Sequence, residues 1–452
     1  MRFAAKVAAA RAVAGLSRVT RTGGGTTAPG KLLLSLDHDA IRRLAARLER
    51  GSVVISATNG KTTTAKMLAG LLEPELAICH NRSGANLTSG VATALLEAAG
   101  KSVGVFEVDE AALPAASAAL DPSVLVLGNL FRDQLDRYGE LESIGAAWAD
   151  LTGSLEESCT LVRNGDDPLL ASLPSGGAGT VTFGIADSSA ALAEMPHAAD
   201  SKWCARCGHR LVYTAVFLGH LGGWECPACG NRRPALDVSA AAIEQEGLEA
   251  CSFTLHTPLG DRRLRLPVAG MYNVYNALAA TAAAYALGGV ELDRMVAGLE
   301  RFDPAFGRFE RVSVDGDEVL LLLVKNPAGA NEVLRTLSLD ERPKRLLLAL
   351  NDRTADGHDV SWIWDVDFEL LGAAAAGVVT TGTRAAEMAL RLSYAGVDNG
   401  RMTVEPDLEA ALDRALAGGE GALYLLATYT AMLDLRGILA DRGLVRPYWE
   451  AE

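Results

Sequence analysis

The stretch Ser56-Ala57-Thr58-Asn59-Gly60-Lys61-Thr62-Thr63 decides the fold of this chain. It follows the apolar run Val53-Val54-Ile55, which predicts a buried strand, and precedes Thr64-Ala65-Lys66-Met67-Leu68-Ala69, which predicts the first turns of a helix. A strand, a tight polar loop ending in Gly-Lys-Thr and a helix follow one another in phosphate-binding loops. Backbone N–H groups at the helix start and the Lys61 ammonium would bind phosphate oxygens, and the Thr62 hydroxyl would reach Mg²⁺.

The motif is incomplete, because its usual first glycine would stand at the position of Ile55. The alternative is a polar strand–helix turn that contains Gly-Lys-Thr by coincidence. We favour a nucleotide loop, because the flanking strand and helix lie where phosphate binding needs them. The predicted ATP contacts in this loop are Thr58, Asn59, Gly60, Lys61, Thr62 and Thr63.

The composition is that of a globular enzyme: 452 residues, 49% hydrophobic and 22% charged, allow two or three domains. The net charge of −14 disfavours a nucleic-acid-binding protein. Near the start, Lys6 and Arg11 interrupt the apolar stretches before the core of a signal peptide forms. No apolar run approaches the ~18 residues that span a bilayer. We therefore expect a cytoplasmic protein with a solvated first helix; the alternative places that helix at the inner face of the cell membrane.

Hydrophobic patterns divide the chain into segments. Residues 1–50 predict an N-terminal helical segment with a loop at 23–30. Residues 51–308 predict an α/β ATPase domain with a parallel sheet, because strand-like runs alternate with helical patterns. Residues 195–235 break that pattern and predict an insertion with its own fold, whereas 315–452 predict a second, Rossmann-like α/β domain. Phe302–Phe309 predicts a hinge between the two domains.

Two cysteine pairs in the insertion predict a zinc ribbon. Cys204-x₂-Cys207 and Cys226-x₂-Cys229 are each followed by glycine, and four thiolates complete a tetrahedron around Zn²⁺. A closed four-sulfur shell leaves no position for water, so the ion would be structural. The alternatives are buried cysteines without metal, or His209 and His220 as replacement ligands.

Further segments carry a resemblance to a known family. They are, in chain order, Glu107-Val108-Asp109-Glu110 after a predicted strand, Asn129 to Gly139, Asn164-Gly165-Asp166-Asp167-Pro168, Gly270 to Ala277, and Phe306-Gly307-Arg308-Phe309-Glu310. Taken in this order, over about residues 50–440, they resemble the Mur ligase superfamily. These enzymes join amino acids to peptidoglycan precursors or glutamates to folate.

Departures from the superfamily pattern narrow the resemblance. Gln134 stands where Mur ligases usually have His, no lysine occurs at 145–150, and Tyr272-Asn273 replaces His-Asn. With the four cysteines, Val324–Gly329 and Asn351–Asp365, these departures resemble the MurT-type subunit of lipid II isoglutaminyl synthase. The resemblance implies a partner, a GatD-type glutaminase, and amidation of the α-carboxylate of D-glutamate in the stem peptide of lipid II, which gives D-isoglutamine.

This chemistry implies roles for individual residues. ATP converts the carboxylate to an acyl phosphate, so Lys61 and Arg308 would offset phosphate charge. Thr62 and Glu107 would hold Mg²⁺, with Glu110 as the second choice, and the resemblance assigns adenine binding to Asn273. Because Gln134 replaces histidine and the lysine is missing, we expect one tightly held Mg²⁺.

Ammonia must come from the partner chain. Cys79-His80 is the only adjacent Cys–His pair, and neighbours along a chain seldom align for proton transfer, so Cys79 predicts a core thiol. By resemblance, Asp356 would serve the shared site and orient the partner's catalytic histidine. Asp352 and Asp359 compete for this role, and a turn cap is the alternative for each of the three.

Two other functions remain open. A stand-alone Mur- or folylpolyglutamate-type ligase would use an amino acid in place of ammonia, and a non-enzymatic zinc-ribbon scaffold would use ATP only as a switch. Trp362 and Trp364 are predicted to lie on one face of a strand. We favour their packing in the core over a role in a surface that binds a partner.

Overall fold

The computed structural model describes residues 2–20, 27–73, 75–81, 85–133, 141–196, 199–303, 308–314, 317–340, 342–418 and 422–445. Within these residues the strands form three separate sheets. The first eleven strands are β1 (Ser52–Ser56), β2 (Ile78–His80), β3 (Val103–Glu107), β4 (Val124–Leu127), β5 (Thr160–Asn164), β6 (Gly179–Ile185), β7 (Val212–Leu218), β8 (Leu221–Glu225), β9 (Val238–Glu246), β10 (Ala250–Thr257) and β11 (Gly260–Leu266).

Nine of these strands form the large central sheet, in the order β11-β10-β9-β6-β5-β4-β1-β3-β2. Strands β1 to β6 and β9 are parallel, whereas β9, β10 and β11 pair antiparallel at one edge. The central strands are apolar and fully buried, as expected when helices cover both faces of a parallel sheet. The carboxyl ends of β1, β3 and β4 therefore meet at one edge, where ligands of such sheets bind.

Ten helices pack with this sheet in the described residues: α1 (Phe3–Thr20), α2 (Ala28–Leu36), α3 (Ala40–Ala45), α4 (Lys61–Leu72), α5 (Thr88–Leu95), α6 (Leu113–Leu120), α7 (Leu141–Gly153), α8 (Pro168–Ser172), α9 (Met271–Leu287) and α10 (Leu292–Glu300). Helix α9 is buried over most of its length and packs against α4. Gly288 and Gly289, at φ 75° and 80°, separate α9 from α10.

The second sheet follows the hinge. Its strands are β12 (Arg308–Val314), β13 (Asp317–Leu323), β14 (Lys344–Ala349), β15 (Ala375–Thr381), β16 (Met402–Val404) and β17 (Leu423–Ala427), in the order β12-β13-β17-β14-β15-β16. The helices are α11 (Pro327–Ser338), α12 (Ala385–Tyr394), α13 (Leu408–Leu416) and α14 (Tyr429–Asp441). The sheet is mixed, because β12 pairs antiparallel with β13 while the other strands are parallel.

The predicted fold class is confirmed, with β7 and β8 as a separate two-stranded ribbon inserted between β6 and β9. Two local predictions were wrong. The loop predicted at 23–30 ends earlier, because α2 begins at Ala28 and Gly30 packs where a Cβ would lie 1.8 Å from Ser89 O. Residues Ser361–Asp365 form a 3₁₀ helix rather than a strand, and Trp364 is 49% exposed.

Among the described helices, none has both the length and the apolar character that a membrane span requires.

Candidate active site and metal centre

The nucleotide loop connects β1 to α4. Gly60 has φ 91°, and a Cβ at this position would lie 2.1 Å from Asn276 Oδ1, so only glycine fits. Helix α4 begins at Lys61, and the Gly60 carbonyl accepts the first helical bond from Thr64 N at 2.8 Å. This helix start lies at the carboxyl edge of the sheet, where its N–H groups and helix dipole suit a phosphate group.

Asn129, at the end of β4, holds the loop in place. The backbone N–H of Asn59 donates to Asn129 Oδ1 at 2.9 Å, and Asn129 Nδ2 donates to Asn59 O at 2.9 Å. Thr58 is held in the same way, because its Oγ1 accepts from Phe131 N at 3.0 Å and donates to Phe131 O at 3.2 Å. The loop is thus ordered by the segment after β4 and not by its own sequence alone.

Two carboxylates from the end of β3 face the loop. Strand β3 pairs in parallel with β1, with Glu107 opposite Ile55. Thr62 Oγ1 donates to Glu107 Oε2 at 2.7 Å, and Lys61 Nζ lies 2.7 Å from Glu110 Oε2. Glu107 is 1% exposed and Glu110 5% exposed. Thr62 and Glu107 therefore offer two adjacent oxygen ligands of the kind that Mg²⁺ prefers, whereas Glu110 is the counter-ion of Lys61.

The charge of Glu110 is maintained by lysines. Burial alone would raise the pKa of Glu110, but the Lys61 and Lys325 ammonium groups outweigh burial and lower it. Lys61 also donates to Ala57 O at 2.5 Å. A phosphate group that binds Lys61 must therefore compete with Glu110 for the ammonium.

The C-terminal domain reaches this site through Lys325 and Asn326. The side-chain amides of Asn326 and Asn59 exchange two hydrogen bonds, of 3.0 and 3.2 Å. Lys325 Nζ lies 2.5 Å from Asp133 Oδ2. Burial raises the pKa of Asp133, although Lys325 opposes this rise. Both parts of the chain thus contact the nucleotide loop or its immediate support.

The four ribbon cysteines lie together, as predicted. Their Sγ atoms are all within 4.8 Å of one another, and Cys204–Cys229 and Cys207–Cys226 are 3.6 and 3.5 Å apart. Four sulfurs at about 2.3 Å from one ion would lie about 3.8 Å apart, so the cluster suits a tetrahedral metal. Gly208 and Gly230, at φ 69° and 72°, close the two cysteine turns. His209 is exposed and outside the cluster.

The tip of the β7–β8 hairpin inserts beside the nucleotide loop. His220 is fully buried, its ring centre lies 4.7 Å from that of Phe131, and its Nε2 lies 3.4 Å from Asp167 Oδ2. Asp167 Oδ2 in turn accepts from Leu130 N at 3.1 Å. His220 is therefore no metal ligand but a packing contact of the segment that holds Thr58.

Comparison with known proteins identifies the family. The model of the MurT ligase C-terminal domain matches residues 323–432, and that of the Mur ligase middle domain matches 55–207. The chain is 34% identical over 437 residues to the lipid II isoglutaminyl synthase (glutamine-hydrolyzing) subunit MurT of Streptococcus pneumoniae, and covers 95% of both chains. The chain belongs to the MurT family.

A second MurT protein is also similar to this chain, and solved structures of other ligases share its fold. The MurT subunit of Staphylococcus aureus (strain N315) is 32% identical, with 91% of this chain and 92% of that protein aligned. A pseudomurein peptide ligase type C from Methanothermus fervidus superposes with a TM-score of 0.68 at 25% identity, over 88% of this chain and 80% of that one. MurF ligase from Thermotoga maritima, solved with ADP, has a TM-score of 0.63 at 16% identity, over 90% and 85%, and so shares the fold.

The adenine and second phosphate contacts predicted for this MurT-family chain are only partly described. Asn273 is buried in the first turn of α9, where Nδ2 donates to Ala269 O at 2.7 Å and Oδ1 accepts from Asn276. The side chain of Arg308 and the whole of Gln134 lie outside the described residues. Trp148, in the segment where Mur ligases carry a lysine, is fully buried and donates from Nε1 to Glu110 O at 3.0 Å.

Asp356 lies under the start of α14. Its two carboxylate oxygens accept from Thr430 N at 2.7 Å and Thr430 Oγ1 at 2.5 Å, and the residue is 5% exposed. Burial raises the pKa of Asp356, and the Thr430 bonds oppose this. Its competitors face other groups: Asp352 accepts from Thr383 and Arg384, and Asp359 Oδ1 accepts from Ser361 N.

The isolated thiols are unsuited to nucleophilic catalysis. Burial raises the pKa of Cys79 to about 12, that of Cys159 to about 11 and that of Cys251 to about 12, so thiolates are scarce at neutral pH. Cys79 and His80 are consecutive in β2, and consecutive side chains of a strand point to opposite faces.

Sequence reasoning missed five contributors to the site: Asn129, Asn276, Asp133, Lys325 and Asn326. Each was within a quoted motif, but only the fold shows that Asn129 and Asn326 hold Asn59. The residue type was the only available signal for the asparagines, because an asparagine side chain in a loop beside a strand end can both donate to and accept from backbone groups.

Proposed function

We propose that this chain is the ATP-dependent synthase subunit that amidates the α-carboxylate of D-glutamate in the stem peptide of lipid II. The product is D-isoglutamine, and the nitrogen comes from glutamine hydrolysed by a separate GatD-type glutaminase. The observation that carries the proposal is the pairing of Lys61 with Glu110 and of Thr62 with Glu107 at the carboxyl edge of the central sheet. Family membership supports the substrate and the need for a partner.

The reaction needs two displacements. A carboxylate oxygen of D-glutamate attacks the γ-phosphorus of ATP, and the bond to the β-phosphate oxygen breaks to release ADP. Ammonia then attacks the acyl carbon, phosphate leaves with the bonding electrons, and the nitrogen loses a proton. The protein contributes mainly alignment and charge neutralisation to such phosphoryl transfer.

Individual residues of the site have different roles in this reaction. Lys61 binds the phosphate oxygens once they displace Glu110, and Arg308 adds positive charge from the hinge. Thr62 and Glu107 would hold one Mg²⁺, which would neutralise phosphate charge. Thr58, Asn59, Gly60 and Thr63 form the rest of the cradle, and Asn273 binds adenine after exchanging its bond to Ala269 O. Two magnesium ions in a crystal of the ATP complex would contradict the single-metal assignment.

The remaining parts support this chemistry. We assign residues 51–308 to the ATPase domain, 315–452 to the C-terminal domain and 1–50 to a helical extension, and β12 (Arg308–Val314) extends the sheet of the C-terminal domain. The cysteines would hold a structural Zn²⁺ in the 195–235 insertion, whose hairpin packs His220 against Phe131. Asp356 serves the glutaminase partner by accepting a hydrogen bond from its catalytic histidine. Each carboxylate oxygen has two lone pairs, so the Thr430 bonds leave this capacity open. The protein works in the cytoplasm, where ATP and glutamine are available.

The test is co-expression with a candidate glutaminase. The purified complex should convert lipid II to its amide with ATP and glutamine, and mass spectrometry of the muropeptides should show hydroxyl replaced by amino at one carboxyl per stem. Lys61→Ala should abolish conversion, whereas Lys66→Ala, on the same helix but facing the Phe302 ring, should retain it. Conversion of lipid II without a glutaminase but with a free amino acid would instead indicate a stand-alone ligase.

A further inference from the structure

The metal ribbon presents an exposed face that the reaction does not use. Antiparallel pairing places Trp203 opposite Arg210, Val212 opposite Glu225, and Glu225 opposite Arg232. Directly opposed residues share a face of a sheet, and so do alternate residues such as Arg210 and Val212. The intervening Leu211 is 6% exposed, whereas Trp203 is 63% and Val212 48% exposed. We call the surface of Trp203, Arg210, Val212, Glu225 and Arg232 the ribbon face; it carries two arginines against one carboxylate.

The ribbon is basic in an acidic chain. Residues 201–235 contain five lysines and arginines against one carboxylate, in a protein of net charge −14. Arg233 points inward to Asp166 at 2.5 Å. By contrast, the side chains of Arg206, Arg210 and Arg232 are exposed and form no ion pair with any residue in the described ranges. Their charge is therefore available to an anionic partner.

A cleft of about 440 Å³ adjoins the ribbon face. Its lining residues are Met195, Pro196, Lys202, Arg210, Leu211 and Tyr213. Lys202 and Arg210 supply positive charge, while Met195, Pro196 and Leu211 form an apolar wall. A partner that fits both properties carries negative charge beside aliphatic groups.

We propose that the ribbon face docks the protein on the surface of an anionic lipid bilayer. Arginines attract anionic headgroups, and an exposed tryptophan favours the boundary between headgroups and acyl chains. A single-stranded nucleic acid also fits cations and the Trp203 ring, but the exposed Val212 and the apolar cleft wall suit acyl chains better than bases. The inference rests on the proposed function only in that a lipid-linked substrate lies at such a surface.

Vesicle binding of the full-length, metal-loaded chain tests the proposal without ATP or substrate. Vesicles of phosphatidylglycerol and phosphatidylcholine should sediment the protein, whereas vesicles of phosphatidylcholine alone should sediment at least tenfold less, and high salt should release it. Trp203→Ala and the double variant Arg210→Ser/Arg232→Ser should each weaken binding to anionic vesicles by at least about tenfold.

Matched variants control for charge and aromatic loss elsewhere. Trp364→Ala removes another exposed tryptophan, and Arg42→Ser/Arg301→Ser removes the same charge from exposed positions outside the ribbon. Both should bind vesicles like the unchanged chain. Metal content equal to that of the unchanged chain would show that the ribbon variants are folded. If they are not folded, vesicle binding of the unchanged chain across the lipid and salt series remains the test of the proposal.

Three results would overturn the proposal. They are equal binding to neutral and anionic vesicles, unchanged binding by both ribbon variants, and displacement from vesicles by single-stranded RNA at lower concentration than by anionic lipid. Failure of the proposed function is separate: the ribbon variants should still amidate a lipid-free precursor analogue in detergent. Loss of amidation with normal vesicle binding would count against the enzyme assignment alone.

Discussion

The Glu110 carboxylate pairs with the Lys61 ammonium, which is the group that a phosphate must bind. In the described arrangement its carboxylate lies 2.7 Å from Lys61 Nζ, and both side chains are buried. Removing one member of a buried pair costs about 3–5 kcal/mol, because the other charge is left uncompensated. The pair thus holds the Lys61 side chain in place until nucleotide arrives.

We predict that Glu110→Gln raises affinity for Mg²⁺-free ATP by at least about tenfold, since the phosphates no longer compete with a carboxylate and about 1.4 kcal/mol is a factor of ten. The nucleotide-free variant should unfold at lower temperature. Calorimetric titration with and without Mg²⁺ measures the first effect and thermal unfolding the second. Weaker binding confined to MgATP would show that Glu110 is a magnesium ligand instead.

Thr62 and Glu107 are the oxygen pair that we assign to magnesium. Thr62→Val removes the hydroxyl at constant shape and should lower kcat by about 10²–10³-fold, the usual effect of losing one group that stabilises transition-state charge. Thr62→Ser keeps the hydroxyl and should stay within about tenfold of the unchanged enzyme. Equal activity of the valine and serine variants would remove Thr62 from the metal site.

Asp356 has a structural role that any test must separate from catalysis. Its carboxylate lies at the N-terminus of α14, where a negative charge contributes about 0.3–1 kcal/mol. Asp356→Asn keeps an acceptor for Thr430 N, so the fold should survive. We predict that this variant loses amidation driven by glutamine but keeps amidation driven by added ammonia.

The matched controls are Asp352→Asn and Asp359→Asn, on the same loop but bound to other groups. Rates with glutamine and with ammonium chloride, measured on the complex, give the comparison. Full glutamine-dependent activity of Asp356→Asn would exclude the residue, and equal loss in both assays would indicate a fold defect.

At the scale of elements, the β7–β8 hairpin supports the nucleotide loop from the side. Gly219, at φ 57°, lies at its tip, and a Cβ there would be 2.7 Å from the Phe131 ring. Phe131 holds Thr58 through two backbone bonds. The metal ribbon and the loop are therefore in mechanical contact through His220 and Phe131.

Gly219→Ala should therefore lower the free energy of unfolding by more than the left-handed backbone conformation alone explains. Gly247→Ala is the control, since Gly247 has φ 58° with nothing within 4 Å of the added Cβ. We expect the control to lose about 1–2 kcal/mol, and Gly219→Ala to lose more and to bind ATP more weakly. Urea unfolding and ATP titration measure both. Identical behaviour of the two variants would show that the hairpin tip does not support the loop.

At the scale of the whole molecule, Asn326 joins the C-terminal domain to the nucleotide loop. It also caps α11, because Oδ1 accepts from Gly329 N at 2.9 Å. Serine at this position keeps a cap but is too short to exchange two hydrogen bonds with Asn59. The substitution thus isolates the contact between the domains.

Asn326→Ser should lower kcat by up to about tenfold, since the lost bonds contribute about 0.5–1.5 kcal/mol to domain closure. Its unfolding temperature should change little. Steady-state kinetics and thermal unfolding provide the two values, with Asn331→Ser, on the same helix but bonded to Asp367 N, as the control. An unchanged kcat would show that domain closure depends on other contacts, such as that of Lys325 with Asp133.

Much of the fold followed from local patterns, and the failures have physical causes. Apolar runs predicted β1, β3, β4 and the parallel sheet, because a buried parallel strand is apolar on both faces. Strand β12 was not predicted, because its first two residues fall in the predicted hinge at 302–309 and the other five lie before the predicted start of the C-terminal domain at 315. Trp364 was assigned to the core, but the 3₁₀ helix turns it outward against Tyr394.

The sequence by itself determined the groups whose chemistry depends on neighbours along the chain. Gly60-Lys61-Thr62 and the two cysteine pairs are of this kind, because a tight turn brings adjacent residues together whatever surrounds it. Only the tertiary structure decided which carboxylate faces Lys61 and which faces Thr62, since that depends on the register of β1 with β3. It also decided that Asn129, His220 and Asn326 support one loop, because they come from distant segments whose meeting is set by packing.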